Sequence, residues 1–250
     1  MLDFTNKTVI ITGASRGIGE ASAHYFSDLN ANVVLAARSK NKIEEIANKL
    51  GKNALAIECD VADPSQVNDL MMKSSKAFGT IDVLINNAGI IDPIQRIEHS
   101  DPVAWGQLID INLKGLYYGI RYALPFMKSN HGGNIFNVVS EAATTAYSGW
   151  AHYGFSKAAV HHLTSVIHIE EVKNGIRALT LSPGTVATDM QKSIAKSGIN
   201  RVSEIPWENH IDPLWPAMAL AWMTTSEADD WLGQTVSLRD EKIREKIGIK

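Results

Sequence analysis

The 250-residue chain predicts an α/β fold: a single-domain, doubly wound, Rossmann-like parallel sheet of about seven strands with helices on both faces. Three observations carry that expectation. Short apolar runs alternate with helical patterns along the whole length. A glycine-rich turn joins the first strand to the first helix. The residues that carry chemistry recur just after strands, where ligands bind in such sheets.

The first strand is Val9-Ile10-Ile11, a β-branched run of the kind a buried parallel strand needs. Gly13, Gly17 and Gly19 follow at once, and then residues 20–29 take helical spacing, with Ala21, Ala23, Tyr25, Phe26 and Leu29 available for burial. A strand passing through a glycine turn into a helix N-terminus makes a phosphate site. The glycines let the backbone come close, and the helix end offers free N–H groups and a positive dipole. Further strands are expected at 32–36, 54–58, 83–85, 134–139, 177–182 and 235–238. Helices are expected near 40–50, 64–78, 101–128 and 151–173. No linker or repeat interrupts the alternation, so one domain over 1–250 is expected. The stretch 190–210 has no strong periodicity of its own.

Composition narrows the function. The chain is 45% hydrophobic and 20% charged, with a net charge of −3. It can bury a large core, and its charge gives no reason to bind nucleic acid or an anionic membrane. The single cysteine, Cys59, excludes an internal disulfide and fits a reducing compartment. No signal peptide fits the N-terminus, and the longest apolar stretch, 214–223, is too short to span a bilayer. A soluble cytoplasmic protein is expected. His161 and His168, seven apart on one helix, lie roughly 10 Å apart along its axis. With no cysteine or carboxylate cluster at ligand spacing, no metal site is expected. Glu227, Asp229 and Asp230 read as a solvated turn.

Tyr153 and Lys157 are four apart, so on a helix they share one face. An ammonium beside a phenol stabilises the phenolate and draws its pKa down. A tyrosine tuned this way exchanges a proton with a carbonyl or alcohol oxygen. Ser140 would aim a second hydroxyl at the same oxygen.

Taken together, Thr12-Gly13-Ala14-Ser15-Arg16-Gly17-Ile18-Gly19, Asn86-Asn87-Ala88-Gly89, Ser140, Tyr153-x-x-x-Lys157 and Pro183-Gly184 resemble the short-chain dehydrogenase/reductase family, in its compact branch of about 250 residues. The resemblance implies a nicotinamide cofactor held by Gly13, Ser15, Arg16, Gly17, Ile18 and Gly19. Asp60 and Val61 would lie at the adenine, and Asn87, Ala88 and Gly89 beside the ribose. Pro183, Gly184, Val186 and Thr188 would contact the nicotinamide carboxamide. Tyr153 would transfer the proton, Ser140 would orient the substrate oxygen, and Lys157 would also bind the ribose. Asn112 would hold a water that links the lysine to solvent; the alternative is an asparagine bonding nearby backbone.

An NAD-type site usually carries a carboxylate at the end of the second strand. Here that strand runs into Ala37 and Arg38, and Arg38 with Arg16 would bind a 2′-phosphate. The expected reaction is NADP(H)-dependent hydride transfer between a small or medium carbonyl compound and its alcohol. An NAD-dependent catabolic dehydrogenase and a non-catalytic nucleotide-binding regulator are the alternatives. Trp150 and the stretch from Met190 to Trp207 would shape the substrate pocket, and the resemblance implies that the segment near 190–210 forms a lid. Glu141 follows Ser140 directly and would either bind a cationic or polyhydroxylated substrate or point into solvent. The charged C-terminal segment departs from the Val-Asp-Gly-Gly ending of many relatives. It leaves a homodimer through the 101–128 and 151–173 helices as the safer expectation beside a homotetramer.

Overall fold

The computed structural model describes residues 2–249. Seven strands form one parallel sheet: β1 (Thr8–Thr12), β2 (Asn32–Ala37), β3 (Ala54–Glu58), β4 (Val83–Asn86), β5 (Gly133–Val138), β6 (Ile176–Ser182) and β7 (Thr235–Ser237). Their order is β3-β2-β1-β4-β5-β6-β7. Val9 pairs with Val33 on one side and with Val83 on the other. The direction of strand succession therefore reverses between β1 and β4, and a crevice opens at the carboxyl ends there.

The helices are α1 (Gly17–Asp28), α2 (Lys40–Leu50), α3 (Pro64–Phe78), α4 (Pro102–Ile109), α5 (Gly115–Ser129), α6 (Ala151–Glu171), α7 (Asp189–Ser197), α8 (Leu214–Trp222) and α9 (Glu241–Ile247). Side chains alternate across each strand, so the sheet divides its apolar residues between two layers. Val9, Ile11, Val33 and Leu35 pack with Phe26, Ile43 and Leu220 of α1, α2 and α8. Ile10, Val34 and Leu84 pack with Leu70, Ile120 and Val160 of α3, α5 and α6. Both faces are covered, which is why the strands read as continuous apolar runs. No helix among the described residues is long and apolar enough to cross a membrane.

Three local expectations need correction. The 101–128 helix is broken by a π-helical turn, Asp110–Lys114, inserted between α4 and α5. The aperiodic 190–210 stretch holds α7 and two 3₁₀ turns, Arg201–Glu204 and Trp207–Asn209. Its apolar residues are too few for a periodic signal, and Ile194 and Val202 bury against the body instead. The 227–230 turn is not simply solvated: Asp229 pairs with Arg177, and Glu227 accepts a hydrogen bond from Trp222 Nε1 at 3.2 Å. Arg177 also donates to the carbonyls of Met223 (3.1 Å) and Thr225 (2.8 Å), closing the end of α8.

Candidate active site

A cavity of about 520 Å³ opens at the crevice between β1 and β4. On its β1 side the glycine turn takes backbone angles that only glycine adopts without strain, with φ +67° at Gly13 and +57° at Gly17. The Arg16 side chain makes no cap at the start of α1, leaving the helix's first N–H groups free for an anion. Gly13, Ser15, Arg16, Gly17 and Ile18 line the cavity. Gly19 does not. A Cβ there would sit 2.4 Å from the Gly13 carbonyl and 2.8 Å from Asn87 Nδ2, so Gly19 lets α1 close on the turn.

One hydroxyl clasps this turn to the next strand. Thr12 Oγ1 accepts from the backbone N–H groups of Asn87 (3.0 Å) and Ala88 (3.1 Å), while Asn87 Nδ2 donates to the Thr12 carbonyl at 2.9 Å. The sequence reading missed Thr12, although a threonine closing a β-branched run just before Gly13 was the available signal. Asn87, Ala88 and Gly89 line the cavity beside it, as do Asp60 and Val61 after β3. Arg38 lines it immediately after β2, whose last residues are Ala36 and Ala37. Arg16 Nη1 lies 3.8 Å from Asp189 Oδ2, with both side chains more than half exposed. Cys59 also lines the cavity, but burial and Asp60 push its thiol up to about 12, so it is inert as a nucleophile.

The second half of the site comes from β5, β6 and α6. Ser140, Tyr153, Lys157, Pro183, Gly184, Val186 and Thr188 all line the same cavity. Tyr153 and Lys157 are buried on one face of α6, and Lys157 Nζ lies 5.6 Å from the Tyr153 ring centre. Lys157 Nζ donates to the Val138 carbonyl at 2.9 Å. Here the expected pKa direction is overturned. Burial pushes the Tyr153 phenol up to about 12, opposed only by its hydrogen bond with Ser140. Burial also draws Lys157 down to about 8. Desolvation sets both directions.

Asn112 sits in the π-helical turn and does not line the cavity. Its Oδ1 accepts from the Ile90 N–H and its Nδ2 donates to the Ile90 carbonyl, both at 2.8 Å. The backbone-bonding alternative therefore describes its side chain. A Cβ on Gly89 would lie 3.3 Å from Asn112 Oδ1 and 3.6 Å from Lys157 Nζ, so Asn112 holds the loop that flanks the lysine.

Glu141 is the second correction. It lies outside the cavity wall, accepting from Tyr147 Oη at 2.9 Å and pairing with Arg239 at 2.7 Å. The sequence reading had no way to see Arg239, which comes from the segment after β7. Trp150 does line the cavity, joined by Met190 and Ile194 of the stretch expected to shape the pocket and by Ile91, which had no signal in the sequence. Among the described residues no cluster of three His, Cys, Asp or Glu side chains is arranged to hold a metal.

The comparisons with known proteins agree with this geometry. The family model described as short chain dehydrogenase matches residues 7–198. An uncharacterized oxidoreductase of Staphylococcus saprophyticus is 38% identical over 85% of this chain and 87% of its own length. A 3-ketoacyl-(acyl-carrier-protein) reductase from Brucella melitensis, solved in complex with NADH, superposes with a TM-score of 0.85 at 28% identity, covering 94% of this chain and 97% of that one. A short chain dehydrogenase/reductase from Saccharomyces cerevisiae gives 0.87 at 29% identity, covering 96% and 98%. The match of family model, relatives and fold leads to one conclusion: the chain is an oxidoreductase of the short chain dehydrogenase family.

Proposed function

We propose that the protein is an NADP(H)-dependent carbonyl reductase, or in the reverse direction an alcohol dehydrogenase, on a small or medium organic substrate. One observation carries the reading. Ser140, Tyr153 and Lys157 line the same cavity as the glycine turn, so a proton donor and a dinucleotide cradle share one space. The cradle fits such a cofactor, because the positive-φ glycines and the bare start of α1 suit a pyrophosphate. The absence of a carboxylate at the end of β2, with Arg38 in its place and Arg16 opposite, favours a 2′-phosphate.

The bound nicotinamide would supply the hydride. The chain's own residues manage the oxygen. Negative charge grows on the carbonyl oxygen as the carbonyl is reduced, and it needs a proton and fixed donors. Tyr153 gives its phenolic proton to that oxygen. With its phenol up at about 12, it stays protonated at neutral pH and is loaded for reduction. Ser140 donates a hydrogen bond to the same oxygen and orients it. Lys157, held by the Val138 carbonyl, offsets the charge left on Tyr153 Oη. Asn112 keeps the 89–90 loop against Lys157. Met190 and Ile194 bring the 190–210 segment over the cavity as a lid.

Exposed apolar side chains on α4, α5 and α6 support a homo-oligomer. Val103 on α4 is 80% exposed, Tyr117 on α5 48%, and Ile169 and Phe155 on α6 76% and 55%, side chains that a second copy would cover. A cytoplasmic location suits the one buried, unpaired cysteine.

Turnover with NADPH and NADH, followed by absorbance, tests the reading. NADPH should be preferred, and Arg38→Asp should reverse the order; a wild-type preference for NADH rejects the cofactor assignment. Tyr153→Phe should abolish turnover while cofactor affinity stays within about threefold. Unchanged turnover rejects the mechanism.

A further inference from the structure

The part of the cavity beyond Tyr153, away from the glycine turn, differs in character from the cofactor half. Its apolar walls are Ile91, Trp150, Met190 and Ile194, and the same segment adds the uncharged polar side chains of Gln191 and Ser193. Ile91, Trp150 and Ile194 are at most 5% exposed and form one apolar cluster with Tyr153 itself. Trp150 meets the Tyr153 ring edge-on, with centres 5.9 Å apart. The wall is therefore continuous with the core, not a patch of surface.

No unpaired cation stands in this part. Three cationic side chains line the cavity: Arg16, Arg38 and Lys157. Arg38 stands at the end of β2, and Lys157 is buried on the Val138 carbonyl. Arg16 alone reaches the outer part, where its Nη1 lies 3.8 Å from Asp189 Oδ2. The carboxylate nearest Ser140 in sequence, Glu141, is turned out of the chamber and neutralised by Arg239. The carboxylates that do line the cavity's outer part are Asp92, exposed at the rim, and Asp189, which pairs with Lys192 at 2.9 Å. A substrate carboxylate or phosphate entering here would be desolvated against apolar walls with no unpaired cation to meet it. An aromatic or branched aliphatic body would instead exchange water for apolar contact.

Resting on the reductase reading above, we infer that the substrate is an uncharged ketone or aldehyde, or the matching alcohol, carrying an aromatic or branched aliphatic group, and that the chamber rejects keto acids. The wall formed by Ile91, Trp150, Met190 and Ile194 sets this preference. Tyr153 and Ser140 engage the reacting oxygen, so the apolar body must occupy the chamber.

A pair of probes that differ in charge at one position tests the inference. Ethyl benzoylformate and benzoylformate present the same ketone, the second with a free carboxylate. With NADPH, kcat/KM for the ester should exceed that for the acid at least 100-fold. Met190→Lys, a half-buried wall position, should raise kcat/KM for the acid at least tenfold and lower it for the ester. Equal or better use of the acid by the wild-type protein overturns the inference. So does turnover confined to charged carbonyls such as pyruvate, which would leave the reductase reading standing. A folded wild-type protein that reduces no probe, charged or uncharged, with either nicotinamide overturns the reductase reading and this inference with it.

Discussion

Replacing Lys157 by methionine should make the protein more stable while destroying its activity. Burial draws the Lys157 ammonium from 10.5 down to about 8. At neutral pH the folded protein must still protonate this lysine, and a displacement of that size corresponds to about 3 kcal/mol of destabilisation. Methionine fills similar volume without charge, but it abandons the Val138 carbonyl, at a cost of about 2 kcal/mol for a bond with a charged donor. The net gain is about 1 kcal/mol at pH 7, or roughly 2–4 °C in Tm for a chain of this size. The pH dependence has a definite sign. A folded pKa below the unfolded one means that between about 8 and 10.5 only the unfolded chain holds the proton. Wild-type stability therefore rises with pH across that window, relative to the variant. The advantage of Lys157→Met should be full below pH 8, shrink above it and change sign before pH 10.5, where only the lost hydrogen bond remains. Tyr153, raised to about 12, loses stability as pH climbs through 10 to 12, but it does so in both proteins and cancels in the difference. Urea unfolding at pH 7, 8, 9 and 10 measures the effect. A variant less stable than wild type at pH 7, or a difference that does not change with pH, would refute the reasoning.

Gly19→Ala should cost about 1–3 kcal/mol of stability through overpacking and weaken NADPH binding roughly 100-fold. Its Cβ would stand 2.4 Å from the Gly13 carbonyl, and calorimetric titration would show whether the cradle tolerates it. Arg177→Met leaves the Met223 and Thr225 carbonyls without their charged donor. A loss of about 2–4 kcal/mol in chemical unfolding is expected, with kcat nearly unchanged because the site lies elsewhere. Val103→Glu with Ile169→Glu places charges among the exposed apolar side chains and should convert the proposed oligomer to monomer by light scattering. A wild-type monomer, or a variant of unchanged mass, removes those side chains from consideration.

The elements that position the site were legible because parallel strands buried on both faces leave unbroken apolar runs, as in Val9–Ile11 and Val33–Ala36. The glycine turn was legible because its φ angles and close approaches admit no other residue. Most site residues follow strands directly, so strand ends marked Gly13, Arg38, Asp60, Asn87, Ser140 and Pro183. What stayed hidden was set by tertiary contact. The π-helical turn at Asp110–Lys114 carries no sequence periodicity of its own. The direction of the Tyr153 shift depended on how completely α6 is buried, which spacing alone does not give. Glu141 looked like a substrate contact because its partner, Arg239, lies 98 positions away along the chain.

That partnership ties two segments into one thermodynamic unit. Arg239 reaches Glu141, and its side chain passes the Gly184 backbone, where an added Cβ would lie 3.9 Å from Arg239 Cγ. Arg244 then fastens the turn, donating to the Leu238 carbonyl at 2.9 Å and the Arg239 carbonyl at 3.3 Å. Whatever tightens the loop around Ser140 must also hold down α9, and fraying of α9 must loosen that loop, since coupling between two sites is reciprocal. Protease nicking of the segment after β7 thus becomes a gauge of what occupies the cleft, read some distance from the chemistry itself.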